Sequence, residues 1–304
     1  MAEHVIEVED LTKNYGDVTA IDGVSFSVNE GEIFSLVGPN GAGKTTTVEI
    51  LECLREPTSG KAKVLGHDIR KEEMKIKEQI GVMPQDFNTF DRLTAKENIK
   101  LAADIYDKSG AEEIIKKVGV KEFENKRFED LSGGMKTRVG IGMALVSDAP
   151  LLFLDEPTTG LDPQARRETW SLIKGLKRMN KTVFLTTHYM EEVEELSDRA
   201  AVIIDGDIKI TDSISNLIER YGGGVKITAS KEKGAEELIK KNSDEVTEED
   251  KDELTGIFED REKARKTLIS LFKKDCNVSV EEAGMDEVFL ELAGGKLTEE
   301  GELA

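Results

Sequence analysis

Eight consecutive residues, Gly38-Pro39-Asn40-Gly41-Ala42-Gly43-Lys44-Thr45, carry the densest chemistry in this chain. Their glycines, lysine and hydroxyl are spaced as in a phosphate-binding loop. Glycines let consecutive backbone N–H groups turn inward around phosphate oxygens, and a helix starting at Lys44 aims the positive end of its dipole at the same place. Lys44 then reaches the β- and γ-phosphates of a nucleoside triphosphate. The Thr45 hydroxyl ligates Mg²⁺, and Thr46 joins the nucleotide-binding set. The second half of such a metal site is an acid at the end of a buried strand. Asp155 stands there, after Leu151-Leu152-Phe153-Leu154, and Glu156 beside it is suited to orient or deprotonate an attacking water.

A phosphate loop alone fits kinases, GTPases and many motors. Leu131-Ser132-Gly133-Gly134-Met135 narrows the choice. Read as residues, it is a second helix N-terminus offering an anion one hydroxyl and two glycine amides, or else a serine that merely caps its own helix. Read as a pattern, it resembles the signature motif of the ABC transporter ATPases, whose usual fifth residue is glutamine where Met135 stands here. The resemblance covers roughly residues 4–220 and implies further roles. Tyr15 is where an aromatic residue stacks on adenine, although a tyrosine there could equally be a core or surface residue. Gln85 matches the glutamine that touches the metal site and senses the membrane partner. Asp162, in Gly160-Leu161-Asp162, matches the loop that crosses the dimer interface, and His188 matches the histidine that contacts the γ-phosphate. The segment Gly284–Leu292 looks like the C-terminal motif of ATPases related to daunorubicin-resistance and sodium-extrusion exporters. Alternatively it is an ordinary amphipathic helix that closes a small domain.

These residues need a frame. Val5–Val8 and Val24–Val28 alternate as half-buried antiparallel strands, and Ile33–Val37 is a short apolar run before the glycines. Helical patterning follows from Thr45 to Leu54, over 71–79, over 94–120 and from Gln164 to Met179. Leu151–Leu154 and Val183–Thr187 read as buried strands. Such alternation predicts an α/β fold, and the resemblance makes it a P-loop ABC ATPase core. That core has a mainly parallel sheet with helices, an N-terminal antiparallel β part and a helical subdomain, joined to a small C-terminal α/β domain. The triple glycine Gly222–Gly224 places the boundary, giving an expected nucleotide-binding domain over 1–221 and an accessory domain over 222–304. Within the latter the pattern gives a strand (Val225–Thr228), a charged polar stretch, a helix (Glu262–Lys274), a strand (Asn277–Val280) and a last helix near Met285.

Composition excludes more than it selects. The chain holds 62 acidic against 42 basic residues among 304, a net charge of −20. Such a surface repels phosphate backbones, so no nucleic-acid partner is expected. Cys53 and Cys276 lack metal-like spacing and read as reduced thiols. No apolar run reaches the ~20 residues of a membrane span, and the acidic N-terminus lacks a signal-peptide core. The resemblance therefore implies an ATP- and Mg²⁺-dependent ATPase on the cytoplasmic face of the membrane. It would act as a head-to-tail dimer with a second copy of itself, beneath a separate membrane-spanning permease. A rival reading, an ABC ATPase acting on ribosomes or DNA, usually needs two modules or a long coiled-coil insertion. This sequence shows neither.

Overall fold

The computed structural model describes residues 4–231, 234–247, 253–295, 297–298 and 300–303. The chain divides into two units, Met1–Asp212 with Leu297–Glu302, and Ser213–Lys296 with Leu303–Ala304. The first unit begins with β1 (His4–Tyr15), β2 (Val18–Asn29) and β3 (Ile33–Val37), then α1 (Lys44–Leu51), β4 (Ser59–Val64), β5 (His67–Asp68), α2 (Glu73–Lys77) and β6 (Ile80–Met83). Three helices follow: α3 (Ala95–Ile105), α4 (Ala111–Lys117) and α5 (Gly133–Leu145). It closes with β7 (Leu151–Asp155), α6 (Pro163–Arg178), β8 (Thr182–Thr187), α7 (Met190–Leu196), β9 (Arg199–Ile204) and β10 (Asp207–Ser213).

Every residue of β3, β7 and β8 is buried, which is why these strands read as largely apolar runs rather than alternating ones. They lie in a six-stranded sheet of order β10-β9-β3-β8-β7-β6. Pairings β9-β3, β3-β8, β8-β7 and β7-β6 are parallel. Phe34, Phe153 and Phe184 lock the strands together, with ring centres 5.6 Å (Phe34–Phe184) and 5.5 Å (Phe153–Phe184) apart. β1 and β2 belong to a separate antiparallel sheet of order β2-β1-β4-β5.

The parallel register has a direct consequence for chemistry. Val37 pairs with Thr187, Asp155 with Thr186, and Met83 with Leu154. The loops that leave β3, β6, β7 and β8 therefore open at one edge of the sheet, where open α/β folds place their ligands.

The expected helix over 94–120 is two helices. Asp107 and Gly110, both with positive φ, break the chain between α3 and α4. Ile115 and Val118 are buried as the periodicity required, and Ile114 is half-buried.

The second unit contains α8 (Ile214–Tyr221), β11 (Val225–Ser230), α9 (Ala235–Asn242), β12 (Glu245–Thr247), β13 (Glu253–Phe258), α10 (Arg261–Lys273), β14 (Val278–Glu282) and α11 (Met285–Ala293). Its strands form an antiparallel sheet of order β12-β13-β11-β14. The break between units comes at Asp212, ahead of the triple glycine, because α8 packs on α11 and so belongs with the second unit. The short tail Leu297–Glu302 belongs with the first. The stretch read as charged and polar holds α9, β12 and β13. Only Ala235 and Ile239 of α9 are buried, too few to stand out among its charges.

Candidate nucleotide and hydrolysis site

Gly43 caps α1 with φ +102°, and a Cβ there would come within 2.6 Å of the Ala20 carbonyl and of Ile21. Only glycine satisfies both the turn and the approach. One residue later Lys44 is buried, with Nζ donating to the carbonyls of Gly38 at 2.9 Å and Pro39 at 3.1 Å. Its ammonium also lies 3.4 Å from Glu156 Oε1. Burial draws the Lys44 pKa below the usual lysine value, and the neighbouring Glu156 opposes that shift.

Glu156 is where the site converges. Its Oε2 accepts from Gln85 Nε2 at 3.2 Å and from Thr159 Oγ1 at 3.0 Å, and lies 3.4 Å from His188 Nδ1. Burial by itself would raise this carboxyl. The hydrogen bond from His188 and the charges of Lys44 and His188 outweigh it and bring the carboxyl down to about 2. Asp155 behaves oppositely. Burial lifts its pKa and the charge of Glu156 adds to that, although hydrogen bonds from the Thr186 and Thr45 hydroxyls work the other way. Thr186 serves both acids, donating to Asp155 Oδ1 and accepting the Glu156 N–H at 3.0 Å.

The structure thus brings Lys44, Thr45, Asp155 and Glu156, read from the residues, together with Gln85 and His188, implied by the resemblance, into one connected group. Gly38 and Pro39 join it through their carbonyls, whereas Tyr15, Ser132 and Asp162 have their contacts elsewhere. Tyr15 ends β1 and is 41 % exposed, with Lys13 Nζ 5.1 Å and Arg55 Cζ 5.7 Å from its ring centre. Ser132 is exposed at the start of α5 and its side chain makes no capping hydrogen bond, so it is not spent on its own helix. Asp162 caps α6, accepting from the backbone N–H groups of Gln164 and Ala165 at 3.0 Å each.

Three contributors were not visible in the sequence. Thr186 is one. Glu192 is another: fully buried, its Oε1 accepts from Thr158 Oγ1 at 2.7 Å and Trp170 Nε1 at 2.9 Å, which ties α7 to α6 and to the segment following Glu156. The third is Asn98, buried at the first turn of α3. Its amide donates to the carbonyls of Phe90, Leu93 and Thr94 and its oxygen accepts from Thr89, fixing the loop beyond Gln85 and leaving Phe90 61 % exposed.

A loop, two adjacent acids and a histidine in this arrangement are those of an ATP-hydrolysing cassette. The chain belongs to the family of ABC transporter ATP-binding proteins, whose ABC transporter domain matches residues 21–159. It is 40 % identical over 234 residues to the linearmycin resistance ATP-binding protein LnrL of Bacillus subtilis (strain 168), covering 74 % of this chain and 75 % of that one. It is 33 % identical over 304 residues to the daunorubicin/doxorubicin resistance ATP-binding protein DrrA of Streptomyces peucetius, covering 95 % and 92 %. That second likeness runs through both units. Among solved structures, the ATP-binding cassette MJ0796, a dimer in a post-hydrolysis state bound to ADP and Pi, matches with a TM-score of 0.62 at 30 % identity, over 68 % of this chain and 98 % of that one. The chain is therefore an ATP-binding and ATP-hydrolysing subunit that powers transport through a separate membrane partner. Among the described residues no helix is long and apolar enough to cross a membrane.

Proposed function

We propose that the phosphates of ATP sit in the Gly38–Thr45 loop, that Thr45, Gln85 and Asp155 hold Mg²⁺, and that Glu156 prepares the attacking water. The observation that carries this reading is the meeting of Lys44, Gln85, Thr159 and His188 on one buried carboxylate at the open edge of the sheet. The residues fit the group. Lys44 is a buried cation whose nearest partners besides Glu156 are two backbone carbonyls, and the Thr45 hydroxyl lies beside the acid Asp155. Bound Mg²⁺ would supply neutralisation of phosphate charge.

The rest is done by the chain. A carboxyl near 2 stays ionised and accepts a hydrogen bond from water, but it is a weak base. His188 keeps the carboxylate aimed.

Tyr15 stacks on adenine, and Ser132, Gly133, Gly134 and Asp162 of a second copy complete the site in a head-to-tail dimer. The exposed, uncommitted Ser132 and the dimeric relative support that arrangement. The loop that Asn98 fixes, with exposed Phe90, faces the membrane partner on the cytoplasmic side of the membrane. The resistance relatives support export of an organic compound as the task.

Glu156→Gln tests the assignment. It should bind ATP normally and turn over about 10²- to 10⁴-fold more slowly. On sedimentation with ATP it should accumulate as a dimer, and adding Ser132→Arg should abolish that dimer. Turnover within a few-fold of the native chain would remove Glu156 as the base. A dimer indifferent to Ser132→Arg would remove the head-to-tail arrangement.

A further inference from the structure

A turn of the chain's own tail lies at the mouth of the phosphate loop. The Asn40 backbone N–H donates to the Gly301 carbonyl at 2.7 Å, and Asn40 Nδ2 donates to the Glu300 carbonyl at 2.6 Å. The turn supports itself. Gly301 N–H donates to the Thr298 carbonyl and Thr298 N–H to the Glu302 carbonyl, both at 2.9 Å, and Glu302 N–H reaches Thr298 Oγ1 at 3.2 Å. Gly301 is buried with φ +78°, and a Cβ there would come within 2.9 Å of His188 Cγ and 3.0 Å of the Asn40 side chain. The glycine is thus wedged between the phosphate loop and His188.

We propose that Leu297–Glu302 is a built-in competitor of nucleotide: in the nucleotide-free chain it docks on Asn40 and against His188, and it leaves before ATP binds. The inference rests on the reading of Asn40 and His188 as nucleotide-contacting residues. Its chemistry is simple. Two neutral backbone carbonyls occupy donors of a loop built for phosphate oxygens, so the turn is held at the same point by weaker acceptors. Hydrogen bonds to an anion are roughly twice as strong as those to a neutral carbonyl, so ATP displaces the turn once its concentration is high enough. The tail sets a threshold for loading the site without closing it. Glu300 and Glu302 are exposed, and the contact with Asn40 runs through backbone carbonyls.

If only a fraction of molecules has the loop open, the apparent Kd for ATP rises by the inverse of that fraction. A turn docked half to nine-tenths of the time raises it about 2- to 10-fold. The test is equilibrium binding of a fluorescent ATP analogue to the full-length chain, to Gly301→Leu, to a chain ending at Gly295, and to Lys44→Ala. Gly301→Leu expels the turn without altering a nucleotide-contacting residue. Both tail variants should bind about 2- to 10-fold more tightly than the native chain. Hydrogen exchange of the nucleotide-free proteins should show the Asn40 amide protected in the native chain and unprotected in both variants. Unchanged or weaker binding in the tail variants overturns the proposal. If Lys44→Ala retains native affinity, the phosphate-loop reading beneath it has failed instead.

Discussion

Glu156 stands just beyond the last residue of β7 with φ +47°, a left-handed conformation that costs a residue with a side chain about 1–2 kcal/mol. The turn takes its carboxylate out of the sheet and into the group formed by Lys44, Gln85 and His188, so the strain is spent at the point of chemistry. Glu52 poses a different problem. It follows α1, is buried, and has its carboxyl pushed up to about 8 from an ordinary 4.5, first by burial and then by the charges of Asp155 and Glu49. A raised acid stabilises the fold fully below the ordinary value and loses that contribution as pH climbs from 4.5 to about 8. Glu52→Gln should therefore match the native chain in stability near pH 4 and exceed it by about 2–4 kcal/mol above pH 8. Urea unfolding without nucleotide or Mg²⁺ would measure this, since a cation beside Asp155 would relieve part of the repulsion. A difference independent of pH would mean that Glu52 titrates normally. Lys44, Asp155 and Glu156 were legible in the sequence because each is defined by its immediate neighbours. Thr186 and Glu192 were not. They are ordinary residue types whose partners, Asp155 and Thr158, lie more than thirty positions away and meet them only through the parallel register.

At the scale of elements the same contrast recurs. β3, β7 and β8 announced themselves as largely apolar runs, whereas α9 and β12 stayed hidden because few of their residues are buried, and β13 because only alternate residues are buried, one of them a glycine. Among helices, α7 has a role beyond packing. Glu192 holds it to α6 through Trp170 and to the segment after β7 through Thr158, so the histidine preceding α7 and the acid ending β7 share one anchor. Burial raises the Glu192 pKa from its ordinary value, opposed by hydrogen bonds from Thr187, Thr158 and Trp170. Replacing it with alanine strands two buried donors and should destabilise the chain by about 2–5 kcal/mol. Glu192→Gln keeps an acceptor for both donors and should cost about 1 kcal/mol. If the anchor positions the site, kcat measured where both variants are folded should fall in Glu192→Ala and recover in Glu192→Gln. Equal kcat in the two, with only stability changed, would reduce Glu192 to a packing residue.

At the scale of the whole molecule, the sequence pointed to two units with a border at the triple glycine, whereas the packing of α8 on α11 draws α8 into the second unit. Met285, Val288 and Phe289 of α11 are buried within the second unit and Leu292 is half-buried. α11 packs on α8 of the same unit, and burial of such an apolar face contributes several kcal/mol. The first unit carries two large apolar clusters of its own, drawn from residues before Asp212. A chain cut after Ser213, the last residue of β10, should therefore fold and bind ATP. It also lacks the turn at Leu297–Glu302. Its affinity should match that of the chain ending at Gly295, both about 2- to 10-fold tighter than the intact protein if the docked turn competes with nucleotide. Circular dichroism would establish folding and titration with a fluorescent ATP analogue the affinity. Matching affinities would mean that the second unit contributes nothing to nucleotide binding beyond carrying the tail. Weaker binding in the shorter chain, with folding intact, would mean that the second unit supports the nucleotide site directly.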